Sequence, residues 1–171
     1  MRKMYDRGFY GGKFLPFHNG HRYCIRVAAS ECRELVVILF SNSEEETEIM
    51  SSETMLDKKL LSEESRIDAI REECRKYDNV RFAVLDCSVM HRQAVIDGTD
   101  LWDSETEYVI REVGDFQAVY SSEPGYSEYF SRAYPFAEHR LIDPPRVNVP
   151  ISGTAVRKMN AEEAEKWIKE K

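Results

Sequence analysis

The sequence predicts an α/β fold, a doubly wound parallel sheet of about five strands with helices on both faces, and three observations carry that prediction. Segments rich in β-branched or aromatic residues alternate with segments of helical period, which is the pattern of repeated βα units. Leu35-Val36-Val37-Ile38-Leu39-Phe40 is an uninterrupted apolar run, as expected of a strand covered on both faces. A glycine-rich turn, Gly11-Gly12, separates the first apolar segment from the first helical one. In such sheets ligands sit at the carboxyl ends of strands, near the switch in strand order. The 171 residues suffice for one domain with a substantial core and contain neither an internal repeat nor a Gly/Ser-rich linker, so residues 1–171 are expected to form a single domain.

Taken in order, strands are expected near residues 8–14, 35–41, 80–85, 116–120 and 138–142, and helices near 20–31, 62–76, 104–113 and 126–133, with a last helix from about Gly153 onward. Pro16 ends the first strand, and Asn19 is the expected N-cap of the first helix, which places His18 and His21 at its opening. Ser41-Asn42-Ser43 leaves the second strand toward the same end of the sheet, where it serves either ligand contact or a plain turn. Residues 43–64 are acidic and polar, with Glu44, Glu45, Glu46 and Glu48 in close succession; this composition reads as a solvated loop, or as a lid or Mg²⁺ reservoir. Ser62 caps the helix that follows, and Arg66 lies in its first turn, within reach of a surface ion pair with Glu63 or Glu64. After Asp86 comes an irregular section in which Trp102 stands in a polar loop, free to stack on a planar ring or to cap the next helix. Ser121 and Ser122 follow the fourth strand and suit a nucleotide's sugar or base edge, or any turn. Tyr126, Tyr129, Phe130, Tyr134 and Phe136 read as packing residues, and His91 and His139 as structural or surface histidines.

Composition narrows the function classes. Lys and Arg total 24 against 31 Asp and Glu, a net charge of −7 that argues against a general nucleic-acid or anionic-membrane surface, so any anion site must be local. No apolar run approaches bilayer length and the N-terminus lacks the apolar core of a secretory signal, so no membrane partner and a cytoplasmic location are expected. Cys24, Cys32, Cys74 and Cys87 form no CxxC pair and read as reduced, mostly buried thiols.

The chemistry concentrates in Tyr10-Gly11-Gly12-Lys13-Phe14-Leu15-Pro16-Phe17-His18-Asn19-Gly20-His21. A helix N-terminus presents unpaired N–H groups and the positive end of the peptide dipole, and so attracts phosphate. Gly11, Gly12 and Gly20 allow backbone and ligand to approach closely, and the two imidazoles can donate to a charged oxygen. The competing reading is half a metal site, for which the sequence places no third ligand. At the other end Ile151-Ser152-Gly153-Thr154-Ala155-Val156-Arg157 opens the last helix with two hydroxyls, and Arg157 lies three residues beyond Thr154, on the same side. Those hydroxyls either hold phosphate or serve only as a cap.

His18-Asn19-Gly20-His21 resembles the HxGH signature of the nucleotidyltransferase superfamily, and Ile151 to Arg157 resembles its late ISxTxxR motif. Lys13-Phe14 with Pro16-Phe17-His18, a Ser-Glu-Pro turn at residues 122–124, and the segment Glu138 to Thr154 more specifically resemble nicotinamide-nucleotide adenylyltransferases of the kind found in the bacterial bifunctional NAD-synthesis regulator. The resemblance implies a Rossmann-like nucleotidyltransferase fold and transfer of AMP from ATP to nicotinamide mononucleotide, with Mg²⁺ held mainly by substrate phosphates. It implies that His18, His21, Lys13 and Arg157 act in catalysis. It implies an ATP site of Gly11, Gly12, Lys13, Phe14, His18, Gly20, His21, Ser121, Ser122, Ile151, Ser152, Thr154 and Arg157. The acceptor side would comprise Phe14, Ser41, Asn42, Arg66 and Trp102. Phosphopantetheine adenylyltransferases usually carry Asp-Pro where this chain has Leu15-Pro16, and cytidylyltransferases an RTxGxST motif in place of Ile151-Ser152-Gly153-Thr154, which disfavours both. No GxxxxGK[ST] occurs, so the transferase step alone is expected. A module that binds a nucleotide without turning it over is the alternative of a different class, and a homo-oligomer is left open.

Overall fold

A computed structural model describes residues 2–52, 56–99 and 101–169. Five parallel strands, β1 (Tyr5–Gly12), β2 (Cys32–Ser41), β3 (Val80–Asp86), β4 (Ala118–Ser121) and β5 (Glu138–Leu141), stand in the order β3-β2-β1-β4-β5. The chain steps outward from β1 to β3, then returns to lay β4 on the other side of β1. That reversal opens a crevice at the carboxyl ends of β1 and β4, where the loops after both strands meet.

Alternation along β2 explains why its run is apolar throughout. Leu35, Val37 and Leu39 enter one cluster with Ile25, Ala28 and Ala29 of α1 (Asn19–Glu31) and Ile70 of α3 (Glu63–Cys74). Val36 and Ile38 point to the opposite face, against Val109 and Val113 of α5 (Leu101–Val113) and against Phe116 and Tyr134. Successive strand side chains face opposite ways, so a strand with helices on both sides has no polar position to spare. α6 (Ser127–Ala133) covers the second face near β5. A third cluster joins Leu15, Leu56, Leu61, Ile151, Val156 and Ala164, binding the loop after β1 to α7 (Gly153–Arg157) and α8 (Ala161–Ile168).

All five expected strands and the helices near 20–31, 62–76, 104–113 and 126–133 are present. Three expectations are corrected. The acidic stretch is largely helical: α2 (Ser43–Ser52) is followed by a 3-10 turn, Lys58–Leu61. Glu44, Glu45 and Glu46 occupy the first turn of α2, where carboxylates favour the positive end of the helix dipole. The section after Asp86 is also helical, with α4 (Ser88–Asp97) ending at Gly98 in the left-handed conformation (φ 64°). The last helix is two helices, because Asn160 accepts the Glu163 N–H at 2.9 Å and so caps α8 separately. No described helix is long and apolar enough to cross a membrane.

Candidate active site

The opening of α1 is built by its two histidines. Its N-cap is His18, not Asn19: His18 Nδ1 accepts the Gly20 N–H at 3.0 Å, while His21 Nδ1 accepts the His18 N–H at 3.1 Å. This reciprocal arrangement performs with imidazoles what a capping box performs with Ser and Glu. It also fixes the tautomer. A ring nitrogen that accepts from a backbone N–H carries no proton, so the neutral ring bears its proton on Nε2. Both rings therefore present an N–H donor from the side away from the helix.

Burial and charge hold the rings neutral. His18 is 1% exposed, and its pKa is lowered to about 3, by burial first and then by the guanidinium charges of Arg146 and Arg22. His21 is lowered well below the ordinary histidine value by burial, by His18 and by the same two arginines. The rings stack 3.7 Å apart at 26°, Phe17 lies parallel to His21 at 5.6 Å, and the Arg22 guanidinium lies 4.9 Å over Phe17. Gly20 is required here by close approach: a Cβ would stand 2.8 Å from His18 Cε1 and 3.0 Å from Nδ1.

The two sequence motifs meet. Arg157 donates from one terminal nitrogen to the Leu15 carbonyl at 2.6 Å and from the other to Thr154 Oγ1 at 3.2 Å. A Cβ on Gly153 would lie 3.0 Å from the Leu15 carbonyl oxygen, and one on Gly20 would lie 3.6 Å from Ile151 Cγ2. Ser152 caps α7 by accepting the Ala155 N–H at 3.2 Å, which leaves its own O–H proton to donate. Ile151 is buried among the third cluster.

Other expected site residues take different places. Lys13 forms an ion pair with Glu45. Phe14 (φ 51°) is 3% exposed and packs edge-on against His21 at 4.8 Å, so it supports a donor ring from behind. Gly11 serves packing, since a Cβ there would clash with the rings of Phe40 and Phe9, and Gly12 lies against the Phe14 ring. Arg66 makes no surface pair with Glu63 or Glu64. It is 1% exposed, forms a 2.8 Å ion pair with Glu46 of α2, and donates to the carbonyls of Leu61 at 3.1 Å and Lys13 at 2.9 Å. It thus fixes the strand-end loop from beneath. Asn42 Oδ1 accepts the Glu45 N–H at 3.3 Å, and the Asn42 N–H donates to Glu46 at 3.1 Å, while the Ser41 carbonyl accepts the Cys87 N–H. Both residues are buried and anchor α2 and the turn after β3. Ser121 Oγ lies 2.6 Å from His139 Nε2, and Ser127 Oγ lies 2.8 Å from His139 Nδ1, so that histidine is structural, while Ser122 Oγ contacts Cys24 Sγ at 3.3 Å. Trp102 belongs to the first turn of α5 rather than to a polar loop, and its side chain lies outside the described part of the structure.

Sequence reasoning missed Arg146. Asp143 accepts the N–H groups of Val147, Asn148 and Val149, folding the loop after β5 so that Arg146 (φ 54°) donates to the Ile151 carbonyl at 2.9 Å and pairs with Glu123. Its charge reaches both histidines. Only the run Asp143-Pro144-Pro145-Arg146, a turn followed by a cation just before the second motif, signalled it. The donor set at the two motifs consists of imidazole N–H, hydroxyl and guanidinium groups. Such donors suit oxyanions directly, and a divalent cation only when it arrives on phosphate oxygens. Among the described residues no three His, Cys, Asp or Glu side chains are placed to hold a metal ion.

Comparison with known proteins bears on family and fold. A family model, Cytidylyltransferase-like, matches residues 9–159. The chain is 26% identical over 161 residues to the trifunctional NAD biosynthesis/regulator protein NadR of Salmonella typhimurium, covering 91% of this chain and 37% of that protein. It is 46% identical over 41 residues to the nicotinamide-nucleotide adenylyltransferase of Halorubrum lacusprofundi, covering 24% of this chain and 23% of that one. A crystal structure of NadR protein in complex with NR superposes with a TM-score of 0.62 at 18% identity, over 94% of this chain and 42% of that one, a likeness of fold. The chain thus spans little more than a third of the length of the NadR protein it matches.

Proposed function

We propose, because this chain belongs to the cytidylyltransferase-like family, that it transfers AMP from ATP to nicotinamide mononucleotide, giving NAD and pyrophosphate. The observation that carries this is the meeting of the two motifs around one set of neutral or cationic donors, with Arg157 bonded to the Leu15 carbonyl in the loop that leads to His18. The names of the relatives, which concern NAD biosynthesis and nicotinamide-nucleotide adenylylation, favour this acceptor.

In the reaction a phosphate oxygen of the mononucleotide attacks the α-phosphorus of ATP. A new P–O bond forms, the bond to the bridging oxygen breaks, and pyrophosphate departs with the electron pair. The nucleophile is already anionic near neutral pH, so no general base is needed. Protein groups must align two polyanions and stabilise the charge that grows on the α-phosphate and the leaving group. Nε2–H of His18 and His21 donate to those oxygens. Because both rings are held neutral, they act as hydrogen-bond donors with no proton transferred. Ser152, Thr154 and Arg157 grip the distal phosphates, and Lys13, released from Glu45, provides a point charge between donor and acceptor. Mg²⁺ would be held through the triphosphate oxygens and would neutralise part of their charge.

The test is incubation of purified protein with Mg²⁺, each of ATP and CTP, and separate acceptors: nicotinamide mononucleotide, nicotinate mononucleotide, phosphopantetheine and polyol phosphates. Products are identified by mass. NAD from ATP is expected. Product from another pair would replace the acceptor, and tight nucleotide binding without product would replace the transferase by a nucleotide sensor.

A further inference from the structure

The last turn of α8 abuts the opening of α1, and the two are joined through carbonyls of the kind that a helix end leaves without an intrahelical partner. Arg22, one turn into α1, donates to the Ile168 carbonyl at 2.7 Å, and Asn19 donates from its amide to the Lys166 carbonyl at 3.0 Å. The same Arg22 nitrogen donates to Asn19 Oδ1 at 3.0 Å and so orients that amide toward α8. On its other side the guanidinium forms a 3.5 Å ion pair with Glu73 of α3. Three helices thus fix a side chain that is only 16% exposed.

Held in this way, the guanidinium lies over Phe17, which is itself buried and parallel to His21, and His21 stacks on His18. Contact therefore runs from α8 through Arg22, Phe17 and His21 to His18, and ends at the two Nε2–H donors. A flat cation over an aromatic face holds the ring by attraction as well as by contact. In a close-packed interior one ring cannot tilt without its neighbour. A tilt of His21 would lengthen the 3.1 Å bond in which its Nδ1 accepts the His18 N–H, and that bond keeps the His21 proton on Nε2. The charge of Arg22 also reaches both imidazoles and disfavours their protonation.

We propose that Arg22 is a positioning residue for the two imidazole donors, acting through Phe17, and that the end of α8 is therefore part of the support of the candidate active site. Its guanidinium is engaged by carbonyls, a carboxylate and a ring, and does not grip phosphate. Its removal changes how accurately the donors meet developing charge, which lowers kcat. The groups that hold the distal phosphates stay in place, so KM for ATP is kept. The effect on turnover rests on the transferase reading, but the effect on the rings does not.

The experiment uses Arg22→Met, which keeps an unbranched stem without the charge, Phe17→Leu, and the two combined, each checked for folding by a thermal melt. Two-bond ¹H–¹⁵N correlation spectra report which nitrogen of each imidazole bears the proton. In the wild type both rings are expected as the Nε2–H tautomer. In Arg22→Met the His21 signals should move toward a mixture of tautomers, kcat should fall about tenfold through misplacement of the donors, and KM for ATP should stay within about twofold. Because Arg22 acts through Phe17, the double variant should be no slower than the slower single one. An unchanged kcat overturns the proposal, as do effects of the two substitutions that multiply. A kcat lost with both tautomers intact also overturns it, and would make Arg22 a clamp for α8 alone. Should Arg22→Met not fold, Phe17→Leu takes its place in the spectra, with the same two readings. If no mononucleotide is turned over, the transferase reading fails and the spectra alone decide: a single His21 tautomer retained in Arg22→Met overturns the positioning role, and a mixture upholds it.

Discussion

Replacing His18 by Asn and by Ala separates its two duties. Asn Oδ1 stands as many bonds from Cα as the imidazole Nδ1, so His18→Asn can still accept the Gly20 N–H that His18 accepts at 3.0 Å. It has nothing in the place of Nε2. His18→Ala loses both groups. Ala also removes the amide that Asn leaves beside His21, so their difference in stability reports the cap together with that packing. Loss of an N-cap side chain costs about 1 kcal/mol, which for a chain of this size is a Tm difference of about 2–4 °C. Loss of a preorganised donor to developing phosphoryl charge costs about 10²–10³ in kcat. Steady-state NAD formation and differential scanning calorimetry on the three proteins should therefore show both variants slowed to a similar extent, with His18→Ala melting below His18→Asn. An Asn variant that keeps activity within about fivefold of the wild type would remove Nε2 from the mechanism. Equal melting of the two variants would remove the cap.

Three further outcomes follow from the same geometry. Arg157→Lys keeps a charge but cannot span the Leu15 carbonyl and Thr154 together; apparent KM for ATP should rise about tenfold, and an unchanged KM would mark Arg157 as structural. Glu46→Gln leaves Arg66 buried without its carboxylate, and breaking such a pair costs about 3–5 kcal/mol; urea denaturation measures it, and a loss under 1 kcal/mol would refute the role of that pair. Because His18 has a folded-state pKa near 3 against an ordinary value of 6.5, the unfolded chain takes up the proton first. The stabilisation is fully present above about pH 6.5 and is lost as pH falls toward 3, by about 1.4 kcal/mol per pH unit. Between pH 7.5 and 5.5 the unfolding free energy should fall more in the wild type than in His18→Asn, and parallel slopes would contradict the buried neutral ring.

The sheet was legible because parallel strands buried on both faces must be apolar without interruption, as Leu35 to Leu39 are. Both motifs of the candidate site were legible as helix starts for a local reason, since each caps its own helix. What escaped was decided by distant partners. Glu46 looks like a solvated member of an acidic run until Arg66, twenty positions on, buries it at 2.8 Å. That pair, with Leu56 and Leu61 buried beneath α7, is why the acidic stretch is packed structure. Asn19 is the better N-cap by residue type, but its amide is drawn to the Lys166 carbonyl at the end of α8, and the imidazole of His18 takes its place. Arg146 approaches the histidines only through the turn held by Asp143. For Glu46 and Asn19 residue type gave the local preference and a long-range contact reversed it, whereas Arg146 depends on the fold of its own loop.

The central claim is adenylyl transfer by direct displacement at the α-phosphorus, and ³¹P NMR of the protein with Mg²⁺, ATP and nicotinamide mononucleotide tests it most directly. The account predicts that the three ATP resonances and the monophosphate signal decay together, at matched rates, into pyrophosphate and the paired diester resonances of NAD. ATP that stays intact, or that yields ADP and orthophosphate while the monophosphate persists, would contradict it.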